Sequence, residues 1–217
     1  MRFKAAILQF GVMMAAVVSM VTSGLAQDRV VQLVGLGDSL MAGYQLPDQD
    51  SLPAQLQKAL QDKGLNVVVT NAGVSGDTSA GGLSRVDWSV PDGTDGVILE
   101  LGANDALRGI APEETEKNLE AIIVRLKEKK VGILLVGMLA PPNMGDDYQQ
   151  RFNPIYQKLA DKHQLPLYPF ILDGVITEAK LKLEDGMHPN AGGVGVITRL
   201  MLPQVEQFIG TLAAKTE

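Results

Sequence analysis

The sequence predicts an α/β fold of three layers, α/β/α, with helices covering both faces of a five-stranded parallel sheet. Two observations predict it. Five short apolar runs recur along the chain, and they are near-continuous rather than alternating, as strands buried on both faces require. Between them lie segments whose apolar residues recur at helical spacing. The 217 residues contain no cysteine, so the fold rests on its core, and a disulfide, a thiolate nucleophile and a cysteine-based metal site are all excluded.

The first strand is expected at residues 30–36 and ends abruptly in Gly37-Asp38-Ser39, a serine at the mouth of a buried strand. The others are expected at 66–71, 96–101, 131–137 and 166–169. Ser51 is placed to cap a helix through "LPAQLQKALQDKG", which Gly64 closes. The clearest helix is "APEETEKNLEAIIVRLKEKK". Pro112 lies near its first turn, acids come early, and Lys127, Lys129 and Lys130 come late. Leu119, Ile122, Ile123 and Leu126 form its apolar stripe. "DDYQQRFNPIYQKLADKHQ" reads as a helix kinked at Pro154, and the last helix spans about 190–212 with a break near Pro203. The β-α-β-α order implies right-handed crossovers and a doubly wound, flavodoxin-like sheet of order 2-1-3-4-5. In that order strands 2, 1 and 3 are neighbours, so the loops after them converge at the ligand-binding end of the sheet.

The N-terminus, "MRFKAAILQFGVMMAAVVSMVTSGLAQ", has the form of a secretory signal. Arg2 and Lys4 precede a short apolar run, and Gly24 and Ala26 occupy the small-residue positions of a cleavage site. The run is short for a membrane span and no basic cluster follows it, so no stable membrane anchor is expected after cleavage. Cleavage after Ala26 leaves 191 residues, one domain over 27–217, in the periplasm or secreted. Losing Arg2 and Lys4 moves the net charge from −6 to −8. An acidic chain without a basic run is a poor partner for nucleic acid or anionic lipid. The sequence does not set an oligomeric state.

Four loops carry groups that chemistry can use: "GDSL" with Ser39, "NAGVSGDTSAGG" with Gly76, "LGANDALRG" with Asn104, and "EDGMHPNAGG" with Asp185 and His188. Together they supply a hydroxyl, a base, a carboxylate and hydrogen-bond donors, the set that acyl transfer by a nucleophilic serine requires. Each has a plainer reading. His188-Pro189-Asn190 is also ordinary helix-start chemistry, Asp185-Gly186 an ordinary turn, and Asn104 a strand-end turn. Gly76 either admits a substrate or serves a turn needing positive φ, and Asp38 is equally a cap. The other histidine, His163 in "ADKHQ", reads as a solvated residue at a helix C-terminus. Met138, Leu139, Met144 and Met187 flank the candidate site; they either line an acyl pocket or pack beneath the loops.

In their order along the chain, "GDSLMAGY", "NAGVSGDTSAGG", "LGANDALRG" and "DGMHPN" resemble the four blocks of the SGNH hydrolases, the GDSL esterases and lipases. The resemblance runs from about residue 29 to 212 and is greatest to the bacterial arylesterase, lysophospholipase and thioesterase I subgroup. It implies Ser39 as nucleophile, His188 as base and Asp185 as its partner. It also implies an oxyanion hole of Ser39, Gly76 and Asn104, no cofactor and no metal. A small-molecule or lipid ester is the implied substrate. A carbohydrate O-acetylesterase and an inactive exported binding protein remain alternatives on the same scaffold.

Other motifs fail on their own terms. "GLGDSL" starts like a dinucleotide fingerprint, but Leu40 stands where the third glycine belongs. The elbow G-x-S-x-G is absent, since Leu40 and Met41 follow Ser39. "PDGTDG" lacks the glutamate of a calcium loop, and two distant histidines without cysteine do not make a zinc site.

Overall fold

The computed structural model describes residues 29–213, and the unit that begins at Val31 carries every element below. The expected signal segment, 1–26, lies outside the described residues.

The first strand, β1 (Val31–Gly37), ends in a single helical turn, α1 (Ser39–Ala42). Helix α2 (Leu52–Asp62) follows and leads to β2 (Val67–Gly73). Ser51 stands at the start of α2, yet its hydroxyl donates to Asp48 O at 2.7 Å instead of accepting from the helix. Gly64, at φ +84°, ends the helix as expected, with Leu65 N donating to Leu60 O. Next come α3 (Ser79–Ser89), β3 (Gly96–Glu100), the short α4 (Ala103–Leu107) and α5 (Pro112–Glu128). The apolar stripe of α5 is fully buried, and Glu113 and Glu114 begin a helix whose last turn holds Arg125 and Lys127.

Beyond β4 (Gly132–Val136), the expected kinked helix is two helices, α6 (Asp146–Phe152) and α7 (Ile155–His163). Pro154 separates them because it has no N–H to continue the ladder. A two-residue β5 (Leu167–Tyr168) and the long α8 (Ala191–Ala213) complete the unit. Pro203 does not break α8. It lies on the exposed side of the helix, while Val205, Phe208 and Ile209 hold the helix to the core.

All strand pairs are parallel and the order is β2-β1-β3-β4-β5, as the element order predicted. Every residue of β3 and β4 is buried, whereas the edge strand β2 exposes Val68 and Thr70. Helices α2 and α8 pack together, and α5 packs with α3 and α7. The C-terminal ends of β1, β2 and β3 therefore lie side by side, and their loops share one rim of the sheet.

Candidate active site

Strand β1 runs straight into Asp38, whose carboxylate accepts from Leu40 N at 3.0 Å and caps α1. Ser39 becomes the first residue of that turn, 8% exposed, with its N–H at a helix start where no intrahelical acceptor exists.

His188 comes from the far end of the chain. Leu183 N donates to His188 O and Asn190 N to Leu181 O, folding this segment into a tight antiparallel loop before α8. Asn190 Oδ1 accepts from Gly193 N at 3.0 Å. The helix start and a functional histidine are thus compatible: Asn190 does the capping and the His188 ring turns toward β1. Its Nε2 lies 2.9 Å from Ser39 Oγ and its Nδ1 2.6 Å from Asp185 Oδ2. A carboxylate only accepts, so Nδ1 carries the proton and Nε2 is left to accept from the serine hydroxyl. Asp185 Oδ1 also accepts from Met187 N at 2.9 Å and His188 N at 3.0 Å. The Met187 N–H, followed by the His188 ring, outweighs partial burial and holds the Asp185 carboxyl down to about 2. The ring of Tyr44 rests against His188 with centroids 4.4 Å apart, a contact the sequence did not suggest.

Asn104 sits in α4, just past the end of β3. Its Nδ2 donates to Asp77 O at 2.9 Å and to Asp38 Oδ2 at 3.2 Å. One amide thus bonds to the neighbour of Gly76 and to the neighbour of Ser39. Gly76 has φ +83°, its carbonyl accepts from Arg108 Nη2 at 2.6 Å, and its N–H has no acceptor among the described residues. Below Ser39, Asp38 N donates to Glu100 Oε2 at 3.2 Å. Burial pushes the Asp38 carboxyl up to about 6, against the pull of the Leu40 N–H and the Asn104 amide. Burial, and then the charge of Asp38, push Glu100 well above the usual range.

A cavity of about 690 Å³ opens beside Ser39 and His188. Met138, Leu139 and Met187 line it, together with Leu107, Phe170 and Ile176, which sequence reasoning missed because single apolar residues in loops carry no periodic signal. Met144 is not in the lining; its methyl group faces Gly109 instead. His163 is not solvated as expected. Its side chain is 12% exposed and Nε2 lies 3.2 Å from Glu120 Oε1, because the end of α7 packs beside α5.

The profile of the GDSL-like lipase/acylhydrolase family matches residues 36–195. An arylesterase of Vibrio mimicus is 42% identical, over 73% of this chain and 80% of its own. The thioesterase 1/protease 1/lysophospholipase L1 of Escherichia coli (strain K12) is 36% identical, over 82% of this chain and 84% of its own. The crystal structure of AlinE4, an SGNH-hydrolase family esterase, superposes with a TM-score of 0.70 at 42% identity, covering 82% of this chain and 96% of that one. A serine held against an imidazole at the rim of a parallel sheet, in a chain this similar to named esterases, makes this protein a member of the GDSL-like lipase/acylhydrolase family and a carboxylic ester hydrolase.

Proposed function

We propose that Ser39 is the nucleophile, His188 the general base and acid, and Asp185 the group that orients and charge-balances the imidazole. The hydrogen-bonded run from Asp185 Oδ2 through His188 to Ser39 Oγ, opening on an apolar cavity, carries this reading. Ser39 Oγ attacks the ester carbonyl while its proton passes to His188 Nε2. The negative charge that develops on the carbonyl oxygen is met by the N–H groups of Ser39 and Gly76 and by the Asn104 amide. The longer of the two Asn104 bonds, the one to Asp38, is the one that yields to the oxyanion. Collapse returns the proton from His188 to the departing alcohol and leaves an acyl-enzyme. Water, deprotonated by His188, then releases the acid and restores Ser39.

The substrates proposed are esters with an apolar acyl chain, including aryl esters, lysophospholipids and thioesters. The cavity wall is mainly hydrocarbon and its volume falls in the range of sites that enclose an extended ligand. An acetyl group would leave most of it unfilled, which disfavours a carbohydrate O-acetylesterase. Residues 1–26 are proposed as a cleaved export signal that takes the enzyme to the periplasm or the medium. Among the described residues, no helix is long and apolar enough to cross a membrane.

The test is hydrolysis of p-nitrophenyl esters from acetate to palmitate by the protein from Gln27 onward. Ser39→Ala should abolish turnover at every length, and Met187→Ser should reduce kcat/KM for octanoate more than for acetate. An optimum at acetate would instead favour the acetylesterase. N-terminal sequencing of the exported protein should begin at Gln27.

A further inference from the structure

We propose that Arg85, a residue remote from substrate, is the positioning residue that holds the three loops of the oxyanion hole in register; this rests on the roles given above to Ser39, Gly76 and Asn104. Arg85 lies in α3 and is 5% exposed. Its guanidinium donates to four acceptors. Nε reaches Asp77 Oδ2 at 2.6 Å, Nη1 reaches Ala72 O at 2.7 Å and Ser89 Oγ at 3.1 Å, and Nη2 reaches Gly37 O at 2.8 Å.

The location of these acceptors gives the bonds their meaning. Gly37 O belongs to the peptide that leads into Asp38 and Ser39. Ala72 stands near the end of β2, from which the Gly76 loop departs. Asp77 follows Gly76, and the carbonyl of Asp77 is the acceptor that orients the Asn104 amide at 2.9 Å. One buried planar cation therefore ties the end of β1, the end of β2 and the loop between β2 and α3, and through Asp77 it fixes the side chain beyond β3. A guanidinium suits the task because its donors diverge in a rigid plane, whereas a lysine offers one point charge. Burying that charge is tolerable because Asp77 balances it and neutral acceptors take the remaining bonds. A misplacement of about 1 Å among such donors is enough to lower the rate on the order of 100-fold.

A purely structural arginine would affect folding and leave the properties of the folded enzyme alone. The assay is therefore kcat and KM for p-nitrophenyl butyrate, beside thermal melts, for Arg85→Lys, Asn104→Ala and the double variant. With Arg85→Lys folded, kcat is expected to fall about 10- to 100-fold with KM within about twofold, because the acyl cavity is untouched. The double variant should lose less than the product of the two single losses, since part of what Arg85→Lys removes is the placement of Asn104 through Asp77. Wild-type kcat in folded Arg85→Lys, or losses that multiply in the double variant, would overturn the proposal. If Asn104→Ala itself keeps wild-type kcat, the assignment of the oxyanion hole is at fault instead. Should Arg85→Lys not fold, Asp77→Asn loosens the same tie with almost no change in size; a fall in kcat supports the proposal and unchanged kcat overturns it.

Discussion

The carboxylate of Asp185 accepts two backbone N–H groups and one imidazole N–H, so a side chain in an exposed loop is as fixed as one in a core. The same bonds favour its ionised form. Because its folded value, about 2, lies below the unfolded one, its stabilising contribution is present above pH 4 and is lost only as pH falls toward 2. Asp185 therefore does not set the acid limit of activity in the ordinary assay range. Gly76 is a different kind of constraint. A Cβ there would stand 3.7 Å from Arg108 Nη2, an ordinary contact, so space does not demand glycine. The φ of +83° does. Gly76→Ala is expected to cost about 1–2 kcal/mol from backbone conformation alone, read as a lower melting temperature. An unchanged melt would show that the turn relaxes without strain.

Among the elements, α3 is the one the sequence concealed. Its stretch "SAGGLSRVDWS" carries two glycines in the first turn, and glycine is a poor helix former. The reason lies in packing: a Cβ on Gly82 would overlap Leu101 Cδ1, which is itself buried. The helix gives up propensity to approach the end of β3 closely, and that approach brings Arg85 within reach of β1. Gly82→Ala should therefore destabilise the protein by about 1–3 kcal/mol through overpacking, although alanine is the better helix former. Gly195→Ala in α8 is the control, since no atom of the described residues lies within 4 Å of where its Cβ would stand. It should stabilise by roughly 0.5–1 kcal/mol. Chemical denaturation of the two variants should give opposite signs, and a shared sign would refute the packing account.

At the scale of the molecule, two carboxyl groups are enclosed under Ser39. Asp38 and Glu100 are both buried, and Glu100 Oε1 has no hydrogen-bond partner among the described residues. Asp38 N donates to Glu100, Asn104 donates to the Asp38 carboxylate from just past β3, and the charge of His188 acts on Asp38 from the last loop. Both groups bind protons more tightly folded than unfolded, so stability falls as pH rises from near 4 through their raised values. Glu100→Gln keeps an acceptor for Asp38 N and removes the proton linkage. Its melting temperature should exceed that of the wild type more at pH 8 than at pH 5. An equal difference at the two pH values would mean that Glu100 does not titrate differently on folding.

The sequence by itself determined the layers, the parallel sheet and the strand order, because continuous apolar runs and helical periodicity are local consequences of being buried on two faces or one. It also put forward Ser39, Gly76, Asn104, Asp185 and His188 as the candidate site, through short motifs of residue types that acyl transfer uses. Tertiary structure alone decided that Nε2 of His188 meets Ser39 across 149 positions of chain. It alone lined the cavity with Leu107, Phe170 and Ile176, placed Met144 beside Gly109, and gave His163 to Glu120. It alone made a helix of a glycine-rich loop and sent Arg85 to the strand ends. Those outcomes depend on which surfaces meet, and a contact between distant residues leaves no periodic trace in either segment.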